Sequence, residues 1–147
     1  MKILFVGNFT AECSGSLYST EHHLALTMEE MGHEVDRLQE NETDLDHILD
    51  IQDRYDLLFY NRTWGIAGDQ DKFFREKKII MVVYSLDIYA GISRQEMLEK
   101  DFMFKADYVF SADGGHEQAF KEAGINHYFL PAGVYGKECF MGKKKNG

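Results

Sequence analysis

Short runs of strand-forming residues, each closed by a turn former, alternate along the chain with segments whose apolar residues recur at helical spacing. This alternation restricts the fold more than any other feature. Strands that alternate one by one with helices build a parallel sheet with helices packed on its faces. The runs read Lys2-Ile-Leu-Phe-Val6 before Gly7, Glu34 to Leu38 anchored by Val35, and Leu57-Leu-Phe-Tyr60. Lys78 to Tyr84, Asp107-Tyr-Val-Phe110 and His127-Tyr-Phe-Leu130 before Pro131 follow. Continuous apolar runs of this kind suit strands buried on both faces. Between them, the spacing predicts a helix over Thr20–Met31, with Ser19 or Thr20 as N-cap and Gly32 as its stop. Leu24, Met28 and Met31 form its expected buried stripe. Further helices are expected over Asn41–Gln52 (stripe Leu45, Ile48, Leu49), Asp69–Glu76, Ser93–Phe104 and Gly115–Ala123. Right-handed crossovers make this an α/β doubly wound, Rossmann-like sheet of six strands, with 3-2-1-4-5-6 as the expected order.

Size and charge narrow the function classes. The 147 residues amount to one domain, expected over residues 1–141, with residues 142–147 a Lys-rich tail. Sixteen Lys and Arg against 25 Asp and Glu give a net charge of −9, which repels polyanions, so no nucleic-acid partner is expected. No apolar run reaches membrane-span length. Cys13 and Cys139 are the two cysteines; they exclude a disulfide framework and a Cys-x-x-Cys zinc site, and predict a reducing, cytoplasmic setting. Glu42, Asp44, Asp46, Asp50 and Asp53 read as the solvated face of the second helix.

In an open parallel sheet, ligands bind beyond the carboxyl ends of the strands. That rim collects Asn8, Phe9, Thr10 and Ser14-Gly15-Ser16 after the first strand, and Asn61, Arg62, Thr63 and Trp64 after the third. Ser85 and Asp87 follow the fourth; Ser111, Asp113, Gly114, Gly115 and His116 follow the fifth. Amides, hydroxyls and carboxylates beside an aromatic ring suit a polyhydroxylated ligand, although strand ends commonly carry such turn formers for structural reasons alone. The first loop has no Gly-x-Gly-x-x-Gly and no Gly-Lys-Ser/Thr, which argues against a dinucleotide or P-loop site. His22 and His23 are adjacent and cannot chelate together from one helix face; His47 belongs to the acidic helix; His116 is the histidine expected on the rim.

Three segments, Met1 to Val35, Ala106 to Gly124 and Leu130 to Phe140, together resemble the first domain of GT-B glycosyltransferases of the family 4 type. Met1 to Val35, ending Met31-Gly-His-Glu-Val35, resembles their opening strand, loop and helix. Ala106-Asp-Tyr-Val-Phe-Ser-Ala-Asp113 with Glu117 to Gly124 resembles their aspartate–strand–helix–Gly-Ile segment. Leu130-Pro-Ala-Gly-Val-Tyr-Gly-Lys-Glu-Cys-Phe140 resembles the stretch closing that domain. Ser111-Ala-Asp113 and Pro-Ala-Gly lean towards the spore-maturation-protein-like branch. The chain departs from the family at Tyr84-Ser85-Leu86-Asp87, where a His-Asp is usual, and at Ala132 and Tyr135, where Asn and Asp are usual.

The resemblance implies the acceptor-side half of an enzyme that moves a sugar from a nucleotide-sugar to an acceptor hydroxyl, inactive without its second, nucleotide-sugar-binding domain. It implies Asp87 as the residue that orients or deprotonates the acceptor hydroxyl. Gly15 and Ser16 would sit near the donor phosphates or the acceptor. Asn61, Arg62 and Trp64 would shape the acceptor pocket, with Asp113 and His116 on the same rim. Gly15, Trp64, Asp87 and Asp113 are expected around one concave surface. No metal and no cofactor are expected, and exposed cleft surface predicts a homo-oligomer. The alternative is a non-catalytic Rossmann-like module that binds a small molecule or a protein.

Overall fold

A computed structural model describes residues 1–10, 19–86, 98 and 100–133. Gly15, Ser16, Cys13, Asp87, Ser93, Cys139 and the Lys143–Lys145 run lie outside the described residues. Six parallel strands form one sheet: β1 Lys2–Gly7, β2 Glu34–Gln39, β3 Leu57–Asn61, β4 Ile80–Ser85, β5 Tyr108–Ser111 and β6 His127–Phe129. The described α-helices are α1 Thr20–Glu30, α2 Leu45–Ile51, α3 Gln70–Glu76 and α4 Glu117–Glu122.

The strand order is 2-1-3-4-5-6, not 3-2-1-4-5-6. The composition of β2 explains the difference. Glu34-Val-Asp-Arg-Leu-Gln39 buries only Val35, so it suits an edge, where charged side chains can reach water. Leu57-Leu-Phe-Tyr-Asn61 is buried along almost its whole length and needs neighbours on both sides. It lies between β1 and β4, in register Phe5↔Phe59 and Phe59↔Val82. The expected order would have placed the charged strand inside and the apolar one outside.

This order reverses the direction of chain travel between β1 and β3. With right-handed crossovers, α1 falls on one face of the sheet, and the later connections fall on the other. Side-chain alternation separates two cores accordingly. Ile3, Phe5, Val35, Phe59 and Tyr84 pack with Ala25, Leu24 and Met28 of α1. Leu4, Val6, Leu58, Tyr60, Met81, Val83 and Val109 pack with Leu45, Ile48, Phe73, Phe102 and Phe120 on the opposite face.

Helix ends follow their capping chemistry, and they move three expected boundaries. Ser19 Oγ accepts from His22 N at 3.3 Å and starts α1. Gly32, at φ +86°, ends it, with Gly32 N donating to Glu29 O and His33 N to Met28 O. Met31 is therefore the C-cap and stands 69% exposed rather than in the buried stripe. The second helix starts at Leu45, not Asn41, because the Asp44 carboxylate accepts from His47 N at 2.8 Å. Residues Glu40–Glu42 instead form a 3-10 turn. The described end of the expected Ser93–Phe104 helix is likewise a 3-10 turn, Phe102–Lys105, opened by Asp101. The acidic side chains at 42, 44, 46, 50 and 53 are exposed, as is His47.

Candidate functional site

Two buried carboxylates build the carboxyl edge of the sheet around the turn in chain direction. Glu40, directly after β2, is 1% exposed. One of its oxygens accepts from the Tyr60 hydroxyl at 2.6 Å and from Gly65 N at 2.8 Å. The other accepts from Trp64 N at 2.7 Å and Thr63 N at 3.1 Å. Three successive amides thus converge on one carboxylate, which fixes the loop after β3 and satisfies a charge that burial would otherwise make costly. Burial, and then the bond to Glu40, push the Tyr60 phenol far above its ordinary range, so it stays a donor.

Glu21, in the first turn of α1, reaches across β1 to the same loop. Asn61 Nδ2 donates to Glu21 Oε1 at 2.7 Å, and Thr63 Oγ1 donates to it at 3.4 Å. Gly7 makes this crossing possible: a Cβ there would stand 2.9 Å from Glu21 Cγ and 3.2 Å from the Phe5 ring. Both carboxylates are taken up by the loop they hold. They position the edge rather than offer themselves to a ligand.

Two clefts open beside this edge, one on each face. On the α1 face a cleft of about 260 Å³ is lined by Thr20, His23, Leu24 and Thr27 of α1, by Tyr84 and Leu86 at the end of β4, and by Ala132 and Gly133 after β6. On the other face a space of about 230 Å³ is bordered by Arg62, Gly65, Gln70, Lys100, Asp101 and Phe102. The Arg62 guanidinium is ion-paired there with the buried carboxylate of Asp101, which also accepts from Met103 N at 3.3 Å. Arg62 therefore braces the loop after β3 against the 3-10 turn.

The sequence-derived candidates divide between these settings. Asn61 is buried against Glu21, and Arg62 borders the second cleft. Trp64 is exposed, with its amide held by Glu40. Asp113 is buried, its N–H donating to Ser111 Oγ at 3.1 Å, and His116 occupies the N-cap position of α4. Neither Trp64, Asp113 nor His116 lines either cleft. Gly15, Ser16 and Asp87 lie outside the described residues. The histidine in the α1-face cleft is His23, not His116.

Ser111, His127 and Asp113 form the arrangement closest to a nucleophile site, but its geometry is structural. Ser111 Oγ and His127 Nε2 are 2.7 Å apart, yet Ser111 is fully buried and cannot meet a substrate. The imidazole stacks on Phe120 with ring centres 3.8 Å apart, fastening the edge strand β6. Burial lowers its pKa below the ordinary value, against the opposing charges of Asp113 and Glu117. Asp107 also ties strands together, accepting from Lys77 Nζ at 2.6 Å and Met81 N at 2.8 Å. Partial burial raises its pKa, but these two donors outweigh that and leave it lowered.

Sequence reasoning passes over Glu21, Glu40 and the α1 wall. The wall had a signal: Thr20, His23 and Thr27 recur at helical spacing beside Leu24, a polar stripe next to an apolar one. The carboxylates had none beyond standing near strand ends. Among the described residues, no three His, Cys, Asp or Glu side chains are placed to hold a metal, and no helix is long and apolar enough to cross a membrane.

No family model and no curated protein matches the chain. Among solved structures, a flavodoxin of Streptococcus pneumoniae TIGR4 is similar at 13% identity and a TM-score of 0.36, over 93% of this chain and 86% of that one. A likeness of that size says nothing of ligand or reaction.

Proposed function

We propose that the chain is a binding unit of flavodoxin-like layout whose ligand is small, uncharged and rich in hydroxyl groups. The observation that carries this reading is the α1-face cleft at the carboxyl edge, where open α/β sheets place their ligands. Thr20 offers a hydroxyl and Thr27 an acceptor oxygen, its own proton being given to His23 O at 2.7 Å, with the His23 ring beside them. Leu24, Tyr84 and Leu86 offer apolar surface to the other side of a sugar-like ring. The described lining residues are all uncharged types, with no Asp, Glu, Lys or Arg among them. Calorimetric titration with neutral monosaccharides and nucleosides tests this. Binding that falls at least tenfold in Thr27→Met and His23→Leu, with circular dichroism unchanged, is the expected result. Binding indifferent to both variants would place the ligand elsewhere and overturn the reading.

A finer reading, the acceptor half of a glycosyltransferase, rests on the sequence resemblance. It is favoured by one further observation: Asp107, β5, α4 and Gly124-Ile125 follow one another in the order of the resembling segment. In that reading Asp87 serves the acceptor hydroxyl, with Gly15 and Ser16 beside it. The 147-residue chain should then bind acceptor-like sugars yet transfer nothing from a nucleotide-sugar, because two substrates need walls on both sides. Turnover by the isolated chain would refute the acceptor-half assignment.

A further inference from the structure

The cleft on the face opposite α1 differs from its neighbour in charge. It lies between the loop after β3, the start of α3 and the turn that opens at Asp101, and its volume is about 230 Å³. Sites for drug-sized ligands measure roughly 300–1,000 Å³, so an occupant of this one is small. Buried Ile66 and Phe102, both part of the core on that face, give it apolar walls. Arg62, Lys100, Asp101 and Gln70 supply the polar groups. Two cations against one carboxylate leave one positive charge in excess, in a chain whose net charge is −9.

The two cations have different settings. Arg62 is held in place: its guanidinium pairs with Asp101, whose side chain is 4% exposed and is itself fixed by accepting from Met103 N. The Arg62 side chain nevertheless stays 31% exposed beside the cleft. An arginine already oriented loses little freedom when an oxyanion meets it, and its planar donors match the two oxygens of a carboxylate. Lys100 is exposed, and among the described residues no carboxylate pairs with it. Lys72, Lys77 and Lys105, by contrast, stand against Asp46, Asp107 and Asp71. The acidic side chains at the start of α3 do not border the cleft: Asp69 accepts from Lys72 N, and Asp71 faces Lys105.

We propose that this cleft binds a small organic monocarboxylate, with the carboxylate between Arg62 and Lys100 and the apolar part against Ile66 and Phe102. One excess positive charge suits a single negative charge better than a phosphate dianion. The apolar walls stabilise a hydrocarbon body, which inorganic phosphate lacks. Gln70, exposed at the start of α3, adds an amide donor for the same oxygens. This site and the Thr20–Thr27 cleft lie on opposite faces of the sheet and take ligands of different charge, so neither assignment depends on the other.

Calorimetric titration of the full chain with phenylacetate tests the site, with phenylacetamide as the uncharged counterpart of the same shape. Phenylacetate should bind saturably, and phenylacetamide at least tenfold more weakly. Lys100→Gln, at an exposed position, should lower the affinity for phenylacetate severalfold. Arg62→Lys, which keeps the charge but loses the planar fork, should lower it too. Lys72→Gln, which removes a lysine outside the cleft, and Thr27→Met, in the cleft on the α1 face, should leave it unchanged. Circular dichroism of each variant checks that the fold is kept. Equal binding of the two probes, no saturable binding of phenylacetate, or an affinity unchanged in Lys100→Gln or in Arg62→Lys would overturn the proposal. A loss in Lys72→Gln or Thr27→Met as large as that in Lys100→Gln would do the same, since it would move the binding elsewhere. Inorganic phosphate binding more tightly than phenylacetate would give the two cations to a phosphate group and also overturn it.

Discussion

At the scale of single residues, the loop after β3 depends on one carboxylate. Glu40 gives two oxygens to three amides and one phenol, and no other described acceptor serves Trp64 N or Gly65 N. Glu40→Gln keeps the volume but turns an NH2 group towards donors, so at least one buried donor loses its partner. The expected cost is about 1–3 kcal/mol for each donor left unpaired, with Glu40→Ala the more damaging variant. Denaturant unfolding checks the ordering, and the fluorescence of Trp64 reports whether its loop has loosened. Gly7→Ala should also destabilise, by roughly 1–3 kcal/mol, because the added Cβ meets Glu21 Cγ at 2.9 Å within a packed region. A companion Glu21→Ala substitution should recover part of that loss by vacating the space. If the double variant is no more stable than the sum of the single losses allows, the clash is not the cause.

At the scale of elements, α1 is the piece on which the candidate cleft depends, since it supplies one whole wall. Its start rests on the Ser19 hydroxyl accepting from His22 N. Ser19→Ala should cost about 1 kcal/mol, while Ser19→Asp, which keeps an acceptor and adds charge at the helix N-terminus, should cost little or nothing. Thermal unfolding of the two variants separates them. Most elements were legible from the sequence because their periods are strong: β1, α1, β3, β4 and β5 stand within a residue or two of expectation. The misplaced ones failed for local reasons. Asp44, not the Asn41 region, owned the cap of α2, and Met31 fell one residue past a helix stopped by Gly32. The charge on β2 was legible too, and it marks an edge strand; read that way, it gives the observed sheet order.

At the scale of the whole molecule, the two edges of the sheet differ in how they are held, and this makes one of them sensitive to acid. The candidate site was less legible than the fold for a related reason: spacing along the chain identifies faces of elements, whereas Glu21, Glu40 and His127 act between elements far apart in sequence. β6 is three residues long and pairs with β5 alone. His127 fastens it through Ser111 and through its stack on Phe120. Because burial lowers the imidazole pKa, the folded state holds it neutral where the unfolded chain would already protonate it. Between the lowered folded value and the ordinary 6.5, the unfolded state binds more protons, so stability rises with pH. The contribution is complete above the ordinary value and is lost as pH falls through that value towards the folded one. Hydrogen exchange locates the effect. The amides of Val109, donated to Asn126 O, and of Leu130, donated to Ser111 O, join β5 to β6 and its flanks. After correction for intrinsic rates, their protection should fall between pH 7 and pH 5, while amides of β1 and β3 in the sheet interior should change far less. His127→Gln keeps a group able to reach Ser111 Oγ but removes the titration, so the fall should disappear in that variant. Equal loss of protection across all strands, or a fall that survives in His127→Gln, would move the acid sensitivity to another group.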